Sequence, residues 1–587
     1  MKASDYIVEF LIDKGITDVF GYPGGMVTHL MDSFAKYKSR INAHVTYHEQ
    51  GAAFAACGFA QTSGKPGVAY ATSGPGATNL ITGICNAWFD SIPTIFITGQ
   101  VNSNEARGSY AIRQRGFQET DIISIVKSIT KYSVYVDSAE KLPEYLNEAY
   151  HAAITGRMGP VLLDIPMNVF RTEIDVNYCL NTLNFKRTIP ETLNHSKTEL
   201  LNASEKLQTA LCHASCPCIL IGNGVKASGK EKEIKEFIDR VKIPVVTSMV
   251  AFDVLENDPY CYGFIGAYGT RTGNFIAAKS DLIISIGSRM DIRQVGALRE
   301  NFAPEAEIIR FDIDDGELGY PVHSDEIKFC MSMDETLEVL NHVEIKTDYS
   351  KWIDVCEEIR SLLKNTDKSN TAELIEFISH YTPENSIITT DVGQNQVWVA
   401  QSFHLKKGQR VLFSGGHGAM GYSLPASIGA YYGSVGKHVV CITGDGGMQM
   451  NIQELQVIAR EKLPIKIIVL NNNALGMIRH FQEMYFDSRY FQTKPDGGYT
   501  APSFTAIGHA YGIQSVCAEM EDLIGGKNPE KTKQFRQLMM SDEAALIEIE
   551  IRENTYVTPK LEFGKPNQDQ EPLLPRDLYE YIMNLKP

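Results

Sequence analysis

The sequence predicts an α/β protein of three doubly wound domains, each built on a parallel sheet. Two observations carry this. Short apolar segments such as "PGVAYATSG", "PTIFITGQ", "PVLLDIP", "DLIISIGS", "HVVCITGDG" and "IKIIVLNNN" recur along the chain and alternate with helical patterns. Most end in Gly, Ser, Asp or Asn, the pattern of strands buried on both faces that lead into a helix. A third observation is length: 587 residues exceed what one hydrophobic core serves.

Two polar stretches, residues 168–199 and 342–370, read as linkers. They divide the chain into blocks at 1–170, 195–345 and 368–550, followed by a Pro-rich, acidic tail at 551–587. No sequence repeat is visible, although the first and third blocks are compatible with a shared fold. The tail reads as a surface strap rather than a lid.

Composition narrows the function. The chain is 43% hydrophobic and 21% charged, with a formal net charge of -16. That acidic balance argues against general affinity for nucleic acid or anionic membrane. The N-terminus "MKASDYIVEFLIDKGITDVFGYPGG" reads as an amphipathic helix and a strand, so no signal peptide is expected. No apolar run reaches the length of a membrane span. The eleven cysteines are scattered, and most sit in apolar surroundings, as in a reducing cytoplasmic protein. "CHASCPC" (Cys212 to Cys218) has no usual zinc-ligand spacing and runs straight into an apolar strand.

In the third block, "HVVCITGDGGMQM" is a strand, a glycine turn and a helix. The next strand, "IKIIVL", ends in Asn471, Asn472 and Asn473. Adjacent parallel strands would set Asp445 beside Asn472 at one edge of the sheet. A carboxylate, an amide oxygen and a main-chain carbonyl form a hard oxygen set, suited to Mg2+ when phosphates complete its shell. The following helix N-terminus offers amide donors to the same phosphates. In the first block, Glu49 follows an apolar strand and opens a helix of small residues.

These segments resemble the thiamine-diphosphate enzymes, and within them the acetolactate synthase (acetohydroxyacid synthase) branch. The resemblance covers nearly the whole chain. Its carriers are "FGYPGG", "HEQGAA", "TSGPGATN", "DSIP", "GFQETD", "GDGGMQMNIQEL" and "LGMIRHFQ". It implies pyrimidine-binding, middle and diphosphate-binding domains, and a homodimer or homotetramer acting on a small 2-oxo acid. No motif specifies a regulatory subunit.

The resemblance also assigns roles. Glu49 would activate thiamine diphosphate through its aminopyrimidine, with Pro23 and Gly24 nearby. Gly393, Gln394, Asn395, Gly446, Gly447, Gly476 and Met477 would surround the diphosphate, and Asp445, Asn472 and the Ala474 carbonyl would hold the metal. Met420 would wedge the cofactor, and the Gly418 carbonyl would accept from its amino group. The family usually has His where Asn395 stands. Phe117, Gln118 and Lys131 match positions near the reacting carbonyl. FAD is expected in the middle block, on Gly222, Gly224, Ser248, Met249, Tyr268, Gly287, Arg289, Arg293, Asp312 and Ile313. The alternative there is a relic domain that has lost its flavin.

The implied reaction decarboxylates pyruvate and adds the two-carbon unit to a second carbonyl. The acceptor site departs from the family pattern. Arg293 is present, and a guanidinium can clamp a carboxylate. Yet Ala267 stands where the family has methionine, and Phe481 where it has tryptophan. The loop "VNSNEARGSYAIRQRGFQETD" is longer than usual and adds Arg107, Arg113 and Arg115. Two acceptors therefore stay open: a second 2-oxo acid, or a ketosugar or other bulky carbonyl. Enzymes that transfer acetyl units to nucleotide-linked ketosugars have similar loops and "EPLLPRD"-type tails. The arginines have a plainer reading as a solvated loop face. A simple 2-oxo acid decarboxylase and a pyruvate oxidase are less consistent with "GFQETD" and "LGMIRHF".

Overall fold

The computed structural model describes residues 1–177, 194–434 and 436–587. The central part of the first expected linker, 178–193, lies outside them. The described residues form two compact units. One comprises Met1–Pro190, Asn385–Gln396 and Arg410–Asn554; the other comprises Glu191–Glu384, Val397–Gln409 and Thr555–Pro587.

The first unit holds two six-stranded parallel sheets. The strands of the first are β1 (Asp18–Gly21), β2 (Asn42–Val45), β3 (Gly67–Ala71), β4 (Thr94–Gln100), β5 (Tyr132–Tyr135) and β6 (Pro160–Pro166), in the order β2-β1-β3-β4-β6-β5. The second unit's sheet contains β7 (Pro217–Ile221), β8 (Val245–Thr247), β9 (Cys261–Phe264), β10 (Leu282–Ile286), β11 (Glu307–Asp312) and β12 (Ile327–Cys330), in the order β12-β11-β10-β7-β8-β9. The first unit's other sheet contains β13 (Ile387–Thr390), β14 (Arg410–Leu412), β15 (Val439–Gly444), β16 (Lys466–Asn471), β17 (Gln514–Glu519) and β18 (Ala545–Glu550), in the order β14-β13-β15-β16-β18-β17.

The sheets built from the first and third blocks thus share one strand order despite having no visible repeat. Their order reverses between β1 and β3, and between β13 and β15. In the middle sheet it reverses between β7 and β10, the arrangement of dinucleotide-binding folds. At each reversal the following loops diverge and leave a crevice at the strands' C-terminal ends.

Within the first unit, helix Glu49–Ser63 packs on helix Ser423–Gly433 through small residues. A Cβ at Gly429 would lie 1.7 Å from the Ala55 carbonyl, and one at Gly58 would lie 2.1 Å from the Ala426 carbonyl. No side chain fits there, which is why "EQGAAFAACGFA" and "SLPASIGA" are so poor in large residues. An added methyl would force the backbones apart, at a cost of about 1–3 kcal/mol.

His44 crosses the same junction. Its Nε2 lies 2.8 Å from Asp18 Oδ1, and its Nδ1 lies 2.8 Å from Glu461 Oε2. The ring stacks on Tyr432 at 3.9 Å. With carboxylates at both nitrogens, the ring donates twice and carries charge. Burial alone would lower its pKa, but the bonds to Asp18 and Glu461 outweigh that and raise it. Glu461 is held down to about 2: burial opposes this, and His44, Tyr432 and Arg460 overcome it.

The second linker differs from its sequence reading. Its helix, Ser350–Leu363, buries Trp352, whose Nε1–H donates to the Pro217 carbonyl at 3.0 Å. Its charges face outward while Trp352, Val355, Cys356 and Ile359 join the second unit's core. The tail also joins the second unit, and its helix Arg576–Asn584 places Ile582 in that core. No described helix is long and apolar enough to cross a membrane.

The raised His44 pKa has a defined stability signature. Its contribution is fully present below the unfolded-state value of 6.5 and is lost as pH rises through the folded value. Calorimetry from roughly pH 6 to 9 should show a melting temperature that falls with pH in this window, with a flatter profile in His44→Gln. Identical slopes in the two proteins would remove His44 from the account.

Candidate active site

Asp445 and Asn472 each follow the last residue of two directly paired strands, β15 and β16. Asp445 is 3% exposed, and its Oδ2 accepts from the Ala474 amide at 3.1 Å and the Tyr499 hydroxyl at 3.0 Å. Burial raises its pKa to about 6, against the opposing pull of those donors. A buried carboxylate held near neutrality is one that a cation would stabilise.

The three asparagines divide the work. Asn471 Nδ2 donates to Glu548 Oε1 at 2.8 Å, which ties it to the neighbouring β18. Asn473 adopts φ +49°, and its Oδ1 accepts from the Ala501 amide. Asn472, between them, donates from Nδ2 to Gln394 Oε1 at 3.1 Å, which leaves its oxygen as the end for a cation. Among the described residues, no three His, Cys, Asp or Glu side chains gather as a metal site. A magnesium here would depend on one carboxylate, one amide, one carbonyl and the ligand's own phosphates.

The other expected diphosphate residues converge on the same place. A Cβ at Gly476 would lie 1.9 Å from Gln394 Oε1 and 2.9 Å from Asn472 Nδ2. One at Gly446 would lie 3.0 Å from Met420 Cε, and one at Gly444 would lie 3.1 Å from Asn395 Nδ2. Gly393 has φ +143°, which lets the loop turn straight off β13. Asn395 is buried, and its Oδ1 has no partner among the described residues. Such an orphaned atom beside a glycine turn fits a site awaiting a polar ligand. Met477 follows Gly476 at the start of helix Gly476–Tyr485.

Sequence reasoning missed the group that organises this loop cluster. Asp391 is fully buried and accepts from the amides of Val392, Gly421 and Ser423, each at 2.9 Å, and from Ser423 Oγ at 2.8 Å. A Cβ at Gly447 would lie 2.3 Å from its Oδ1. It therefore joins the end of β13, the loop carrying Gly418 and Met420, and the Gly-Asp-Gly turn. The signal was present: Asp391 directly follows a strand in "TTDVGQNQ". Asp90 of "DSIP" holds the other end of that loop, accepting from Gly415 and Gly416 at 3.0 and 2.6 Å.

A second cluster forms at the reversal of the first sheet. Glu49 is buried, and its Oε2 accepts from Asn79 Nδ2 at 2.9 Å. Gly24, after Pro23, packs on Thr72; a Cβ there would lie 2.3 Å from Thr72 Cβ. Ser73 Oγ is buried without a partner among the described residues. Gln118, at φ +63°, lies against Gly74 of the same "TSGPG" loop. Phe117 beside it is 78% exposed.

Lys131 lies elsewhere. It precedes β5, at the N-terminal edge of the sheet, and Nζ donates to the Thr155 carbonyl at 2.5 Å. Burial lowers its pKa to about 8. The structure does not bring it to Glu49 in this chain. Arg107 and Arg115 turn back on their own loop, donating to the Ile112 and Ala106 carbonyls. The Glu119 carboxylate gathers that loop through the amides of Arg107, Arg115 and Gly116. Arg113 is exposed.

In the second unit, β7 and β10 meet at three glycines. The Gly224 amide donates to the Gly287 carbonyl at 2.9 Å, and a Cβ at Gly222 would lie 2.1 Å from that oxygen. Ser248 Oγ, just before Met249, is buried with no partner among the described residues, as is Thr247 Oγ1. Asp312 ends β11 and accepts from the Asp314 amide; Ile313 follows it. Arg289 pairs with Asp291 at 3.1 Å. Arg293 sits 5.9 Å from the centre of the Tyr268 ring, and its carbonyl accepts from the Ala267 amide at 2.9 Å. The glycine approach and the orphaned hydroxyls fit a dinucleotide. Phe481 belongs to the first unit, where it packs on Tyr485 and Phe486.

Paired α/β sheets with a buried carboxylate–amide set at one crevice define an enzyme that binds a diphosphate cofactor. Three domain families of the thiamine pyrophosphate enzymes match the chain: the N-terminal TPP binding domain at residues 1–125, the central domain at 204–340 and the C-terminal TPP binding domain at 391–549. The chain is also 34% identical to the acetolactate synthase isozyme 2 large subunit of Escherichia coli K12, over 97% of this chain and 99% of that one. A probable acetolactate synthase large subunit of Methanocaldococcus jannaschii is 36% identical, over 94% of this chain and 92% of its own. Acetolactate synthase 1, chloroplastic, of Oryza sativa subsp. japonica is 32% identical, over 97% and 87%. The chain belongs to the thiamine pyrophosphate enzyme family, in the branch of the acetolactate synthase large subunits.

Asp445→Asn keeps the side-chain size but removes the charge. It should weaken magnesium-dependent binding of thiamine diphosphate on the order of 100-fold, read by titration calorimetry. Unchanged affinity would contradict the placement of the cation.

Proposed function

We propose that this chain decarboxylates pyruvate and transfers the two-carbon acetyl unit to a second 2-oxo acid, as a carboligase of the acetolactate synthase type. The observation that carries the reading is the convergence of Asp445, Asn472, Gln394, Gly446, Met420 and Gly476 at adjacent strand ends, in a chain that matches acetolactate synthase large subunits along nearly its full length.

Bound thiamine diphosphate supplies a carbon nucleophile and then an electron sink. The protein's part is binding, orientation and exclusion of water. Asp445, the Asn472 oxygen and the Ala474 carbonyl would hold magnesium against the diphosphate, while Gly393, Gln394, Asn395, Gly446, Gly447, Gly476 and Met477 would line it. Asn395 donates to phosphate but, unlike histidine, moves no proton at neutral pH. Met420 and the Gly418 carbonyl orient the rings. Glu49 holds a proton at the aminopyrimidine, and Gln118 donates to the reacting oxygen. Lys131 is left out of the catalytic set. The middle sheet's glycines, Ser248, Arg289 and Asp312 would hold FAD. Exposed Phe117 and the match to acetolactate synthase large subunits support a homodimer in which Glu49 would serve a second copy's diphosphate cluster.

A second reading has its own observation. Ala267 and Phe481 are smaller than the methionine and tryptophan of the family pattern, which favours a bulkier acceptor such as a ketosugar.

The purified protein with pyruvate, thiamine diphosphate and magnesium should form acetolactate. Carbon dioxide release that requires an added ketosugar would move the acceptor to the second reading. Acetaldehyde, acetate or acetyl phosphate as the sole product would contradict both.

Glu49→Gln should still bind the cofactor yet nearly lose exchange of its C2 proton, followed by NMR; exchange at the wild-type rate would reject the role. Ala267→Met and Phe481→Trp, each made singly, should raise acetolactate relative to any bulkier product, and an unchanged product ratio in both would reject their part in acceptor choice.

A further inference from the structure

The C-terminal segment grips the two pieces of backbone that carry Ala267, Tyr268 and Arg293. The Leu561 amide donates to the Ala267 carbonyl at 2.7 Å. Gln570 Nε2 donates to the Gly269 carbonyl at 2.9 Å. Gln401 Nε2 spans the Tyr268 carbonyl at 2.9 Å and the tail's Pro559 carbonyl at 3.3 Å. On the neighbouring piece, Asn567 Nδ2 donates to the Gln294 carbonyl at 2.6 Å. Asn567 and Gln570 are 5% and 0% exposed.

The tail is itself anchored. Lys560 and Glu571 exchange backbone bonds of 2.9 and 2.7 Å, closing the loop that contains Asn567 and Gln570. Arg271, buried, donates to the Gln570 carbonyl at 3.0 Å and the Pro572 carbonyl at 2.7 Å, while its Nε pairs with Asp367 at 2.8 Å. Lys279 Nζ caps the final helix at the Met583 and Leu585 carbonyls.

The gripped turn is braced from inside at its start only, where buried Asn274 accepts from the Gly266 amide at 2.9 Å and donates to the Gly266 carbonyl at 3.0 Å. Gly266 has φ +118°, and a Cβ there would lie 2.2 Å from the Arg293 carbonyl, so this position takes no side chain. Ala267 supplies only a methyl. The turn's amides bond inward, Ala267 to the Arg293 carbonyl and Gly269 to the Gly266 carbonyl. Its carbonyls at 267, 268 and 269 are bound by Leu561, Gln401 and Gln570. With no large side chain at 267, the carbonyls beyond Gly266 are held by those outward bonds.

We propose that Gln570 and Asn567 are positioning residues that fix the 266–269 turn and the helix Ile292–Val295, and thereby set which carbonyl acceptor the enzyme takes. This rests on the assignment of Ala267 and Arg293 to the acceptor site. Neither residue acts on decarboxylation of the donor pyruvate.

The test uses Gln570→Met and Asn567→Leu in the full-length holoenzyme. Three quantities are read: pyruvate decarboxylation with ferricyanide as electron acceptor, acceptor KM and product partition with 2-oxobutanoate competing against pyruvate, and amide hydrogen exchange of residues 263–274. Loss of one neutral hydrogen bond should raise the acceptor KM about fivefold and shift the partition, with decarboxylation unchanged within about twofold. Exchange at 266–269 should quicken. Unchanged exchange and partition, a parallel fall of decarboxylation, or failure of both variants to fold would each overturn the proposal. A wild-type protein that does not decarboxylate pyruvate would instead overturn the functional reading, and the exchange measurement would still decide whether these residues hold the turn.

Discussion

Parallel pairing around a reversal of strand order is the constraint on which the rest of this molecule depends. At such a reversal the loops after two neighbouring strands run to opposite faces, so nothing from the chain fills the crevice between them. The third block combines this with an ordinary strand pairing. The β13/β15 reversal brings Asp391 and the Gly393–Asn395 loop against the Gly-Asp-Gly turn, and pairing of β15 with β16 adds Asn472. The first block puts Gly24 against Thr72 at the equivalent place, and the middle block puts Gly222 and Gly224 against Gly287.

Close backbone approach then dictates composition. Gly447 touches a buried carboxylate, Gly476 touches Gln394, and the helix Glu49–Ser63 touches the helix Ser423–Gly433 without room for a methyl at Gly58 or Gly429. These glycines let charged and polar atoms be buried with partners already in place. Asp391 shows the result: four hydrogen bonds hold a fully buried carboxylate that in turn fixes three loops. Burial raises the pKa of both carboxylates, that of Asp445 to about 6, and a cation beside Asp445 would stabilise its charged form.

The legible parts of the sequence were those set by local pattern. Apolar strands ending in small polar residues gave the three sheets, and Asp445 with Asn472 stood out because both sit where strands end. What stayed hidden depends on contacts distant in sequence. Tyr499 reaches Asp445 across 54 positions, and Gln570 reaches Gly269 across 301, with nothing local to mark either. The charged helix containing Trp352 resembled a linker because only one of its faces is apolar. Lys131 precedes its strand, at the end of the sheet opposite to the crevice.

Asp445, Asn472 and the Ala474 carbonyl would together hold one cation against a diphosphate. Crystals of the protein with thiamine diphosphate and manganese, measured for anomalous scattering, test this most directly. A manganese peak is expected about 2.1 Å from the Asp445 carboxylate, the Asn472 amide oxygen and the Ala474 carbonyl. A peak that lacks Asp445 or Asn472 as a ligand would contradict this placement.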